Sequence, residues 1–132
     1  AEEWLAEVQA AGLEIFALSV HLQGQALGDE PSAKTLPFVG GAAREAYLAW
    51  RASGHEPPRN DPYHLPEEIG RLLHAEAGRQ MLAAVRLAKA LGVRQGRKVP
   101  LTGFVGSPAH CWSHWFGFPP LPSEIGGHAI PD

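Results

Sequence analysis

A single cysteine, Cys111, stands in a chain of 132 residues, so no internal disulfide can staple the fold. Methionine and asparagine also occur once each, and Lys numbers three against eight Arg. Such scarcity of thermolabile residues fits a thermophilic source, and a GC-rich genome accounts for it equally well. Long apolar runs are missing. The longest, Leu13 to Leu22, is broken by Glu14, Ser19 and His21. It falls short of the roughly 20 residues that cross a bilayer. The opening Ala1-Glu2-Glu3 is acidic where an export signal is basic. These absences together predict a soluble chain with no membrane partner, in a reducing, cytoplasmic setting.

One absence is regional. No Asp or Glu occurs between Ala77 and Ser123, a stretch of 47 residues. At the chain's own frequency of acids, about five would be expected there. The net charge of −3 is therefore unevenly spread. Residues 69 to 98 hold Arg71, Arg79, Arg86, Lys89, Arg94, Arg97 and Lys98 against Glu76 alone, a local balance of +6.

What is present suits a globular fold. A hydrophobic fraction of 45% with four Trp, five Phe and two Tyr can fill one core of ordinary size. Residues 2 to 11 read as a helix, with Trp4, Leu5, Val8 and Ala11 on one face and Gly12 as its stop. Residues 13 to 22 alternate as an inner strand, Phe16, Leu18, Val20 and Leu22 sharing a face. A loop over 23 to 34 and a brief extended piece from Leu36 to Val39 are expected to follow. A second helix is predicted from Ala42 to Ser53, burying Ala43, Ala46, Tyr47 and Trp50. The connector His55 to Pro66 holds four prolines, which makes it a stiff polar arm.

The longest element runs from about Pro66 to Leu91, with Glu67 and Glu68 at its positive end and Gly92 as the stop. Ile69, Leu73, Ala77, Met81, Ala84, Leu87, Ala88 and Leu91 fall within an arc of roughly 120°. Gly70 and Gly78 interrupt it and mark a bend or a close backbone contact. A strand over Lys98 to Val105, a short helix after Ser107-Pro108, and an extended Pro/Gly-rich tail from about 117 complete the chain. The predicted fold is α+β: one small domain, with the long amphipathic helix and two or three shorter helices on a small sheet.

Three patterns could carry chemistry. Arg71, Arg79, Arg86 and Lys89 project within roughly 80° of one another, opposite the apolar stripe. With Arg94, Arg97 and Lys98 they form a candidate anion-binding face for nucleic acid, a phosphorylated ligand or an acidic protein. Against this stands a solvated face whose charges pair within the chain. The turn from Gly103 to Pro108 lies between a strand and a helix, where backbone N–H groups can hold an anion; tight turns also use glycine for ordinary reasons. His110 and His114 stand four apart, on one helix face, as two ligands of a zinc ion would. No third ligand has a diagnostic spacing, and the alternative is a core margin built with Trp112 and Trp115. Cys111 is poorly placed for activation by His110, because neighbours on a helix point apart. The leading reading is a non-enzymatic binding module without a cofactor. A metal-dependent hydrolase using His110 and His114, and a purely structural protein, are its alternatives. Phe118-Pro-Pro-Leu-Pro122 resembles a polyproline segment docking on its own domain or a sister subunit, and with the apolar stretch from Phe116 it leads to the expectation of a homodimer.

Overall fold

The structure, a computed structural model, describes residues 2–104, 124–125 and 128–129. The order is α1 (Glu2–Ala10), β1 (Leu18–Ser19), α2 (His21–Gly28), a 3-10 turn (Ala33–Thr35), α3 (Leu36–Val39), α4 (Gly41–Ala52), α5 (Glu67–Gln95) and β2 (Leu101–Thr102). The pair β3 (Glu124–Ile125) and β4 (His128–Ala129) follows. The fold is a small α+β arrangement organised around α5; among the described residues four shorter α-helices accompany it, where two or three were expected. No helix among the described residues is long and apolar enough to cross a membrane.

At 29 residues, α5 is about 43 Å long, and it buries two successive clusters. Its first half meets α2, α3 and α4 through Ile69, Leu73 and Ala77 with Ala26, Leu36, Val39, Ala43 and Leu65. Ala46, Tyr47 and Trp50 pack against that cluster from α4. Its second half, through Ala88 and Leu91, covers Leu5, Ile15 and Val99. The predicted apolar stripe is thus the buried one, Met81, Ala84 and Leu87 lying at its half-buried margin. Gly70 sits against the Pro31 side chain, where a Cβ would lie 3.0 Å away.

The end of α5 differs from expectation for a steric reason. Gly92 lies inside the helix, and a Cβ there would stand 2.8 Å from the carbonyl oxygen of Arg97. Glycine is needed because the chain returns across it. The stop is Gly96, at φ +65, with the Arg97 N–H donating to the Gly92 carbonyl at 3.1 Å.

The inner strand predicted over 13 to 22 shrinks to Leu18–Ser19, which pairs in parallel with Leu101–Thr102. Residues 13–17 are irregular, and Phe16 and Leu13 are exposed. A side chain replaces the ladder at Ile15: its N–H donates to Gln95 Oε1 and its carbonyl accepts from Gln95 Nε2, both at 3.1 Å. Residues 21–28 form α2 where the end of that predicted strand and the start of a loop were expected, with Gly24 and Ala26 buried. Leu36–Val39 is helical as well. Pro37 sits in its first turn, where a missing N–H costs nothing, and Gly40 at φ +66 ends it. Of the predicted strand over 98 to 105, the described residues 98–104 hold only β2.

The connector 55–66 is mostly exposed but tied down near its end. Ala33 N–H donates to the Tyr63 carbonyl at 2.8 Å, and Lys34 Nζ lies 4.2 Å from the Tyr63 ring centre. Leu65 is buried beside the first turn of α5.

Candidate functional site

The basic face divides into committed and uncommitted cations. Arg71 pairs with Glu67 and, at 3.9 Å, with Glu68. Arg79 pairs with both oxygens of Glu76, whose side chain is only 13% exposed. Gln80 Nε2 donates to Glu76 Oε1 at 2.9 Å and to the Val39 carbonyl at 2.7 Å. Gln80 thereby ties the last residue of α3 to α5, and the Glu76 carboxylate holds the Gln80 amide in place. The Arg79 hydrogen bond holds the Glu76 pKa below the usual 4.5, and Gln80 assists. In return, Glu76 raises the Arg79 pKa.

Arg97 is committed too. Its Nη2 donates to the Ile15 carbonyl, its Nε lies 3.7 Å from Glu14, and its guanidinium sits 3.9 Å over the Phe16 ring. Its job is to hold the irregular segment before β1.

Arg86, Lys89 and Lys98 are exposed and make no hydrogen bond or ion pair among the described residues. Arg94 is exposed in the last turn of α5, where a cation opposes the helix dipole. The seven-residue cluster legible in the sequence thus contracts to the last third of α5 and the loop after it.

Exposed apolar side chains stand among these cations and in the turn before them. Val93 is 77% exposed and Leu82 58%, with Val85 half exposed. A groove of about 690 Å³ runs between the end of α5 and the returning chain, lined by Gly92, Val93, Val99 and Pro100 together with Lys89 and Lys98. Its walls are mainly apolar, with two uncommitted ammonium groups among them. Sequence reasoning missed this apolar content. The signal was available, since Leu82 and Val93 fall on the basic side of the helical wheel, away from the buried stripe.

A second cavity of about 340 Å³ lies near the start of α5, between Glu30, Asp61, His64, Arg71 and His74. Asp61, His64, Arg71 and His74 are engaged within the chain. His64 Nδ1 stands 3.6 Å from Asp61, and His74 Nε2 lies 3.0 Å from the Asp29 carbonyl oxygen.

Among the described residues, no three His, Cys, Asp or Glu side chains converge as a metal site. His110, Cys111 and His114, the candidate zinc ligands and nucleophile, lie outside the described residues, as do Gly106, Ser107, Pro108 and the tail from 117 to 123. The first part of that turn is described: Gly103 and Phe104 are exposed, and the Phe104 ring stacks on His21 at 4.2 Å. The chain matches no family model, no curated protein and no solved structure.

Proposed function

We propose that the chain is a binding module that docks an acidic, partly apolar protein segment in the groove between the end of α5 and the returning chain, residues 97–100, that leads into β2. The observation that carries this reading is Val93, 77% exposed on a groove wall that also holds Lys89 and Lys98. Exposed apolar area beside uncommitted cations matches a segment that alternates carboxylates with aliphatic side chains. Phosphate backbones reward dense cationic surface and gain nothing from an exposed valine. Here Arg71, Arg79 and Arg97 are already spent on carboxylates and a carbonyl of the same chain. The remaining charge is too thin for a nucleic-acid track and sufficient to orient an acidic peptide.

The test is fluorescence anisotropy with three labelled probes: a Glu/Leu amphipathic peptide, polyglutamate and a duplex oligonucleotide. Binding of the first, weakened several-fold in Lys89→Glu and Lys98→Glu, supports the proposal. A preference for the oligonucleotide, with affinity falling steeply in salt, would replace the acidic protein with a phosphate backbone. Equal binding of polyglutamate and the Glu/Leu peptide would remove the apolar half of the argument.

A further inference from the structure

The solvent side of α5 carries a second pattern, N-terminal to the groove. Glu68, Leu72, Ala75, Arg79, Leu82 and Arg86 are all exposed. They are separated by four, three, four, three and four residues. That alternation is the 3.5-residue period of a coiled-coil seam. It places all six within roughly 80° of one another, opposite the buried stripe.

The spacing reads the same from either end, so two antiparallel copies would bring like positions into register. Glu68 of one copy then faces Arg86 of the other, Leu72 faces Leu82, and Ala75 faces Arg79. Each pairing is complementary in charge or shape. Arg86 has no hydrogen bond or ion pair among the described residues. Glu68 has only the 3.9 Å approach of Arg71, itself held by Glu67. Arg79, the one cation near the centre, is drawn aside and neutralised by Glu76 along its own helix, and it meets alanine across the seam. Leu82 at 58% exposure and Leu72 at 41% supply the apolar contact, once on each side of the twofold axis.

We infer that this face of α5 is a self-association surface, on which a second copy of the chain packs its own α5 antiparallel about an axis near Ala77. Charge selects the occupant: the acid lies at one end of the seam and the uncommitted base at the other, an arrangement that an antiparallel copy satisfies twice. A parallel copy would set Glu68 against Glu68 and Arg86 against Arg86. One helix pair buries less surface than a permanent dimer, so association is reversible and concentration-dependent. The seam ends at Arg86, nearly a turn before Lys89, and leaves the groove beyond it open. This surface is independent of the docking proposal.

Charge exchange tests it directly. Sedimentation equilibrium up to about 1 mM should show wild-type protein rising from 14.2 kDa towards twice that mass. Glu68→Arg alone and Arg86→Glu alone should each weaken the dimer about tenfold, because each sets like charges together at both ends. Mixing these two variants should restore dimerisation, since every cross-seam pair is then opposite in sign. Far-UV circular dichroism checks that both variants remain folded. Lys98→Glu, which tests the groove, should leave the dimer mass unchanged. A wild-type chain that stays monomeric to 1 mM would overturn the inference, as would a dimer indifferent to both charge reversals. Failure of the mixture to recover what the single variants lose would overturn it as well.

Discussion

Gln95 meets Ile15 with its whole side-chain amide, accepting from the Ile15 N–H and donating to the Ile15 carbonyl, each at 3.1 Å. The last residue of the long helix thus takes the place of a neighbouring strand, eighty residues away in sequence. Arg97 adds a second donor to the same carbonyl. Ile15 can therefore bury its side chain in the second core cluster without its backbone forming a ladder.

Removing that amide should cost stability well beyond its small contact area. Gln95→Ala leaves the Ile15 N–H without its partner in a half-buried place, at a cost of about 1–3 kcal/mol. Urea denaturation should show a lower midpoint with little change in slope. An unchanged midpoint would mean that water replaces the amide freely.

The glycines at the end of α5 should separate under the same assay. At Gly96 the strain is conformational alone: φ is +65 and a Cβ would meet nothing within 4 Å. Gly96→Ala should cost about 1 kcal/mol. At Gly92 the dihedral permits a side chain, yet the added carbon would strike backbone at 2.8 Å. Gly92→Ala should therefore cost more than Gly96→Ala, about 1–3 kcal/mol, because the returning chain must shift. Equal effects would show that the loop yields cheaply.

These two glycines also explain what the sequence could and could not convey. The apolar stripe of α5 and the buried face of α4 follow the helical period, which is local, and both were legible. The stop at Gly96 was misplaced at Gly92 because one residue type serves two purposes: a left-handed dihedral and a close crossing. Only the partner at the crossing, Arg97, tells them apart, and it is not a local signal. The segment 13–22 alternated like a strand, but a strand needs a neighbour along its whole length. Here β2 offers two residues, and Gln95 and Arg97 satisfy Ile15 instead. The basic face was legible as charge and illegible as availability. Counting residues 69 to 98 showed a surplus of cations. It could not show that Glu67, Glu68 and Glu76, on the same helix, engage Arg71 and Arg79.

The lowered pKa of Glu76 makes a pH-dependent prediction. Its folded value lies below the usual 4.5, chiefly because of the Arg79 hydrogen bond. On acidification the unfolded chain therefore takes up this proton first. The contribution is complete above about pH 5 and is lost as pH falls through the folded value. Melting temperatures of wild type and Glu76→Gln should differ by a constant amount from pH 7 down to about 5, and converge below the usual carboxyl value of 4.5. Convergence starting near pH 6 would assign the effect to a histidine.

Val93 gives the sharpest contrast between folding and binding. At 77% exposure in the last turn of α5 it contributes almost nothing to the core. Val93→Ser should change unfolding free energy by no more than about 0.5 kcal/mol. Leu73, which is fully buried, should behave oppositely: Leu73→Ala should cost about 2–5 kcal/mol through the cavity it leaves. If the groove docks an acidic, partly apolar segment, Val93→Ser should lower affinity for the Glu/Leu peptide about threefold to tenfold, with thermal stability unchanged. That corresponds to losing one aliphatic contact, about 0.7–1.4 kcal/mol. Peptide affinity that survives Val93→Ser but falls with Lys89→Glu would leave a purely electrostatic surface. Peptide affinity that survives both would move the docking site away from this groove.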